Sequence, residues 1–411
     1  MSRAAQPVIV HVVNTLEGGG TERSLLSLLH RFDPNRFRHV LITLREPGAL
    51  AKDLPDHVAC CPLGCVGRSR RAWLRLAGLM HRFCVDVVHA RNTGCWMDTA
   101  LAAFLRPRCR SVLGFHGLDS GSCFGRRHRL VARVTRCLGA RFSSVAYSGA
   151  LALQTQLGVP KRRIDVLVNG VDRCRFRPAT NATRMALKRS LGCAHGDFVL
   201  GMVGALVPVK GHELVLRAVK RLVDAGRCVR LVLVGDGPLR DTLTRAICRA
   251  GLERRVFLVG RRSDVADWLA GLDGYVCASV SEGMSNALLE AMAARLPIVA
   301  TDVGDNRFLL QGEAGLVIPP GNEAAMVAAL ARLMDDSNGR ARMARRAGER
   351  CVDFDLRRAA AGYENFYARL LDHPIVPVSE SARTIDGAGR DRGTGLPAGS
   401  HQKILVGGCR C

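Results

Sequence analysis

The chain has 411 residues, 48% of them hydrophobic, 16 cysteines and a formal net charge of +24. That length exceeds one ordinary core and predicts two or three domains, and the hydrophobic share excludes a chain disordered throughout. The basic excess is concentrated in residues 1–180, which hold 28 Lys+Arg against 11 Asp+Glu; it points to nucleic acid, an anionic membrane surface or acidic substrates, or reflects coding-sequence bias alone.

Val8 to Val13 is apolar but too short for a secretory leader, and no small-residue cleavage site follows it. In the first half "PVIVHVV", "HVLITL", "VDVVHA", "SVLGFHG", "SSVAYS" and "IDVLVNG" read as strands. The second half supplies "FVLGMVG", "VRLVLVGDG", "VFLVG", "GYVCAS", "PIVATD" and "GLVIPP". These are continuous apolar runs, which suit strands buried on both faces of a parallel sheet. Between them, segments such as "ERSLLSLLHRF" and "HELVLRAVKRLVDAG" carry apolar residues at i, i+3, i+4 and i+7, the helical period. Two rounds of alternation predict two doubly wound α/β domains facing a cleft.

We place the first domain at 1–177 and the second at 178–355, divided where Pro178 and polar residues interrupt the pattern. A last helix spans 356–371, and the Gly/Pro/Ser-rich stretch 372–411 reads as a disordered tail. Phe142 to Pro160, the longest uncharged stretch, is too polar for the roughly 20 apolar residues of a membrane span, so a cytoplasmic, at most peripheral, protein is expected. The cysteines, among them Cys84, Cys137 and Cys277 in apolar runs, read as buried reduced thiols. Neither Cys60, Cys61 and Cys65 nor Cys409 and Cys411 has the paired spacing of a zinc site, so no metal is expected.

In open parallel sheets ligands bind beyond the carboxyl ends of the strands, so the glycine-bearing loops there carry the chemistry. "EGGGTER" places Gly18, Gly19 and Gly20 before a helix starting near Thr21. It reads as a phosphate-approaching loop or as a tight turn, and it contains no G-x-G-x-x-G. "GALVPVKGHE" sets Lys210 just before a helix, as a point charge for a phosphate or as a solvated lysine. In "SEGMSNALLEAM", Glu282 lies in a loop, Asn286 caps the following helix and Glu290 sits about one turn in. Amides of 283–286 suit a phosphate, whereas carboxylates repel one. The two glutamates therefore fit sugar hydroxyls, or else Glu290 only favours the helix dipole and Glu282 is solvated.

The stretch "SEGMSNALLEAMAARLPIVATDVGD" resembles the E-x7-E signature of the retaining family 4 glycosyltransferases of the GT-B fold, those of bacterial polysaccharide and lipid-glycan biosynthesis. "NTLEGGGTERSLLSLL", "GFHG", "AYSGALALQTQLGVP", "VLVNGVDRCRFRP", "VGALVPVKGH", "LVLVGDGPLRDTL" and "FLVGRRSDVADWL" extend the likeness in order over nearly the whole chain before the tail.

The resemblance implies two Rossmann-like domains, the last helix crossing back to the first, and a nucleoside diphosphate sugar as donor with no further cofactor. Gly19 and Gly20 would approach the donor diphosphate, with Glu22 opening the helix behind them, and His116 would contact the donor sugar. Lys210 would bind the leaving diphosphate, and Glu282 the sugar hydroxyls. Gly283, Met284 and Ser285 would offer amides near phosphate and sugar, Glu290 would hold the ribose, and the Arg261 main chain would meet the base. The acceptor implied is a glycan or a lipid-linked glycan.

One position departs from the family pattern: Ala205 stands where an arginine is usual, so one cation for the leaving group is missing. A nucleotide-sugar epimerase of the same fold and an inactive transferase are the alternatives. Nucleic acid is not expected, since aromatics are 5% and no binding module is recognisable. The arginine-rich helix within Phe124 to Arg141 reads as a face for an anionic membrane surface or as a solvated basic helix.

Overall fold

A computed structural model describes residues 6–65, 71–117, 124–194 and 196–372 of the chain; from residue 373 onward the expected tail lies outside the described residues. The first sheet contains β1 (Val8–Val13), β2 (Arg38–Thr43), β3 (Ala59–Pro62), β4 (Val87–Ala90), β5 (Arg110–Phe115), β6 (Arg141–Ser144) and β7 (Ile164–Val166). Its order is β3-β2-β1-β4-β5-β6-β7. The second contains β8 (Phe198–Val203), β9 (Val229–Val234), β10 (Val256–Gly260), β11 (Gly274–Cys277), β12 (Ile298–Thr301) and β13 (Leu316–Ile318), in the order β10-β9-β8-β11-β12-β13. Every pairing is parallel, with Val10 of β1 opposite both Val40 and Val88.

These are the two doubly wound α/β sheets expected from the apolar runs. The strand order reverses between β1 and β4, and again between β8 and β11. At each reversal the flanking loops diverge and leave a crevice, so the loops after β1, β8 and β11 are the ones the topology opens to a ligand.

Sequence periodicity missed β3, a four-residue edge strand that is only partly buried and carries Cys60 and Cys61. The stretch placed at the domain boundary is also more ordered than its polarity suggests. It holds a helix, Asn181–Ser190, capped by Thr180 Oγ1 accepting from the Thr183 amide at 3.2 Å. Leu187 of this helix packs against Gly271, and Leu191 joins the core beneath the second sheet.

The last helix, Leu356–Leu370, packs on the first sheet, with Tyr363, Phe366 and Tyr367 buried among Ile9, Leu25 and Leu41. Asp355 caps it, Oδ1 accepting from the Arg357 amide at 2.9 Å. Where Tyr367 meets the sheet the core is polar. Arg91, only 1% exposed, donates to Tyr367 Oη at 3.2 Å and His11 Nδ1 at 3.0 Å, and lies 4.8 Å from the Tyr363 ring. His89 Nδ1 stands 2.9 Å from the same Tyr367 hydroxyl. A buried cation without a carboxylate is tolerable only when neutral acceptors and ring faces replace its water. Burial holds the His11 and His89 rings well below their usual range, so both can accept.

Thiol burial follows the sequence reading only in part. Cys277 is buried, but Cys84 and Cys137 are exposed, each at the end of an amphipathic helix where the apolar face has already turned inward.

Candidate active site

One cleft of about 660 Å³ runs between the carboxyl ends of the two sheets, and all ten candidate residues meet there: His116, Lys210, Glu282, Gly19, Gly20, Arg261, Gly283, Met284, Ser285 and Glu290 each line it.

From the first sheet, the loop after β1 delivers Gly18 with φ +111°, a conformation that side-chain-bearing residues rarely adopt. Gly19 caps the helix Gly20–Leu29. The Glu22 carboxylate folds back so closely that any side chain at Gly19 would strike it. An anion thus already stands at this helix start, and what the glycines offer a phosphate is close backbone approach. His116 follows β5. Removal from water and then the Arg91 charge push its ring down to about 3, so the imidazole is neutral near pH 7.

From the second sheet, the turn Pro208–Lys210 follows β8 and ends at Gly211, whose φ of +70° starts the helix His212–Asp224. The turn aims Lys210 at the loop after β11, where Nζ donates to Glu282 Oε1 at 2.5 Å. Ser279 Oγ donates to the same oxygen at 2.7 Å. Ala205, next to Gly204 at the end of β8, also lines the cleft.

The helix start differs in detail from the sequence reading. Ser285, not Asn286, is the cap, its Oγ accepting from the Leu288 amide at 3.4 Å. Asn286 instead reaches across the cleft, Nδ2 donating to Ser24 Oγ at 2.8 Å and to the Gly20 carbonyl at 3.2 Å. Glu290 lies in the first turns of Asn286–Ala293; burial pushes its carboxyl up to about 7, against the opposing pull of Arg175 and Arg23.

The two domains touch along this loop. A Cβ on Gly283 would lie 2.7 Å from the His116 carbonyl oxygen, so only glycine lets the loop pass at this distance. Asn169 Nδ2 donates to the Met284 carbonyl at 3.2 Å. Asp305 receives the amides of Tyr147 at 2.7 Å and Ser148 at 2.9 Å, which open the helix Tyr147–Leu157 of the first domain. Sequence reasoning missed Ser279, Asn169, Asn286 and Asp305 as site and seam residues. Only Ser279 left a local signal, a small hydroxyl three positions before Glu282.

Arg261 follows β10, and its side chain extends to the facing domain, where Nη1 would lie 3.5 Å from a Cβ on Gly18. Among the described residues no group of three or more His, Cys, Asp or Glu is gathered as a metal site, and no helix is long and apolar enough to cross a membrane.

Residues 18–175 match the family described as Glycosyltransferase Family 4, and residues 197–336 match Glycosyl transferases group 1. The chain is 32% identical over 237 residues to the lipopolysaccharide core biosynthesis mannosyltransferase LpsB of Rhizobium meliloti, covering 54% of this chain and 65% of LpsB, under two thirds of its length. It is 27% identical over 317 residues to an Escherichia coli UDP-Gal:alpha-D-GlcNAc-diphosphoundecaprenol alpha-1,3-galactosyltransferase, covering 74% of this chain and 82% of that one. Among solved structures, Anabaena Alr3699/HepE in complex with UDP-glucose superposes with a TM-score of 0.74 at 22% identity, covering 88% and 99% of the two chains; this likeness shows the fold.

Proposed function

We propose, from the premise that this chain belongs to the family 4 glycosyltransferases of the GT-B fold, that it moves a sugar from a nucleoside diphosphate sugar to a glycan or lipid-linked acceptor, with retention and without a metal. The observation that carries this reading is the meeting of Lys210 and Glu282 at 2.5 Å beside Glu290 and the Gly19–Gly20 loop in one interdomain cleft.

In this reading Glu290 accepts from the ribose, and Glu282 from donor-sugar hydroxyls. Lys210 and the amides of Gly283 to Ser285 receive the diphosphate as charge develops on it. The bond from the sugar's anomeric carbon to the phosphate oxygen breaks, and the acceptor oxygen bonds that carbon from the same face. The acceptor's proton passes to the departing phosphate. Neutral His116 suits a hydroxyl partner, since a cation there would compete for the phosphate. Both glutamates serve as hydroxyl binders, so the reading involves no hydrolytic carboxylate pair.

The relatives named above act, by their names, on lipopolysaccharide core and on a diphosphoundecaprenol-linked sugar, which supports an acceptor of that class. A peripheral position on the inner face of the cell membrane belongs to the same proposal. It is supported by the helix Arg126–Cys137, with five arginines and Leu130 62% exposed. Flotation with vesicles that does not depend on anionic lipid removes that element.

The deciding experiment is calorimetric titration of a panel of nucleoside diphosphates and their sugars against the wild type and Glu290→Ala. Product analysis with and without acceptor accompanies it. Selective binding of one donor, lost in the variant, and transfer only with acceptor are expected. Epimerised donor formed without acceptor, or no donor bound at all, overturns the reading.

A further inference from the structure

Five cations line the cleft: Arg23, Arg175, Lys210, Arg261 and Arg262. Four are held by the protein itself. Lys210 is paired with Glu282. Arg23 Nε donates to the Gly18 carbonyl at 3.2 Å. Arg175 Nη2 donates to the Ser263 carbonyl at 3.0 Å, and its guanidinium lies 5.2 Å from the Phe176 ring. Arg262 is gripped by both oxygens of Asp264, at 2.8 and 2.7 Å. Arg261 alone has no hydrogen-bond or ion-pair partner among the described residues.

We infer that the Arg261 side chain supplies to the donor's diphosphate the cation that Ala205 does not, a role beyond base contact by its main chain. This rests on the transferase reading.

The placement supports it. The Gly235 amide donates to the Gly260 carbonyl at 2.9 Å, and Gly204 packs against Gly235, so the loops after β8, β9 and β10 form one continuous rim. Ala205 and Arg261 stand on that rim with β9 between them, about 10 Å apart by strand spacing. From there the Arg261 side chain, although exposed, leaves its own domain. It crosses toward Gly18, where a Cβ would lie 3.5 Å from its Nη1 and 3.8 Å from Arg23 Nη2.

Two guanidinium groups therefore converge on one glycine of the loop that flanks the phosphate path. Neither forms an ion pair among the described residues. Asp236 lines the same rim, but its carboxylate is taken by the Gly237 amide at 2.9 Å and by Arg240 at 3.8 Å. Like charges brought together repel unless an anion joins them, and a guanidinium presents a donor fork that fits a phosphate bidentately. Glycine at position 18 leaves the approach unobstructed.

The test titrates three ligands that share the base selected by the donor panel: the nucleoside, its monophosphate and its diphosphate. Each is run on the wild type, Arg261→Ala and the double variant Arg261→Ala/Ala205→Arg. Arg261→Ala is expected to weaken the diphosphate about ten- to a hundredfold while leaving the nucleoside within about twofold. The double variant should recover most of that loss. A loss shared equally by all three ligands assigns Arg261 to the base and overturns the inference; so does an unchanged diphosphate affinity, or a loss that the arginine at 205 does not mend. A wild type that binds no nucleoside diphosphate removes the transferase reading, and this inference with it.

Discussion

Lys210 Nζ sits 2.5 Å from Glu282 Oε1, joining the loop after β8 to the loop after β11 at the point where the second sheet reverses its strand order. The side chains keep 26% and 12% of their exposure. Solvent screens the pair only in part, but the desolvation of two mostly buried charges offsets much of their attraction, so the pair contributes on the order of 1 kcal/mol to stability. Its value lies in what Lys210 does when an anion arrives, because the ammonium can turn from a partly solvated carboxylate to a diphosphate without leaving the cleft. Lys210→Met should accordingly lower kcat by about a hundredfold or more while shifting Tm by under about 2 °C. Initial rates on the selected donor, paired with a melting curve, check both halves. A large loss of Tm with little loss of rate identifies the pair as structural.

Glu290 sets a pH dependence. Burial raises its carboxyl from 4.5 to about 7. Its hydroxyl-accepting form is therefore a minor one at pH 6 and the major one at pH 8, roughly a tenfold change in the ionised fraction. Nucleoside affinity should rise as pH climbs through 7 in the wild type and stay flat in Glu290→Gln. The bare nucleoside is the ligand to use, because phosphate groups titrate in the same window.

Linkage gives the matching sign for folding. An acid with a raised folded value holds its proton longer in the folded state, so stability falls as pH rises from about 4.5 to 7, by on the order of 3 kcal/mol. Glu290→Gln should lose that component of the pH slope in chemical denaturation.

The sheets were legible because a strand buried on both faces must be a nearly continuous apolar run, and six-residue runs such as "VRLVLV" or "VIVHVV" leave few other choices. β3 was not, since Ala59–Pro62 lies at an edge with only partial burial and neither alternation nor a full apolar run marks it. That these residues gather in one cleft was readable through a family resemblance, but their contacts were not. Asn286 meets Ser24 across 262 positions of chain, and Asp305 meets Tyr147 across 158. Local composition holds no record of a neighbour brought in by another domain. The cap was misassigned for a related reason: Ser285 and Asn286 are both apt caps, and what drew Asn286 away was Ser24 on the facing domain.

Gly283→Ala tests how closely the domains must meet. The added methyl would stand 2.7 Å from the His116 carbonyl oxygen, backbone that cannot swing aside as a side chain can. The loop or the domain seam has to open, at a cost of about 1–3 kcal/mol. The resulting shift moves the amides of Gly283, Met284 and Ser285 together. We expect kcat to fall at least tenfold, with the nucleoside still bound, since Glu290 lies on the helix behind the loop. Nucleoside titration beside steady-state rates separates the two effects. Equal losses in both mean that the substitution has disturbed the whole cleft rather than the seam.

Asp305→Ala tests what holds the domains at this angle. The carboxylate, 3% exposed, belongs to the second domain, yet it accepts the first amides of the helix Tyr147–Leu157 in the first domain, as a cap supplied from outside the helix. Two backbone donors lose their partner in the variant, and water must replace it in a seam where Tyr147 also packs edge-on against Phe308 at 4.9 Å. Losing a buried, charge-assisted cap costs about 1–3 kcal/mol. Because the bond crosses between domains, the cost falls on closure as well as on folding. Small-angle scattering should show a larger radius of gyration for Asp305→Ala than for the wild type, narrowing when the selected nucleoside diphosphate is added. An unchanged radius with a lowered Tm would make Asp305 a local cap only. An Asp305→Asn variant, which keeps an acceptor without the charge, should lie between the two in both measurements.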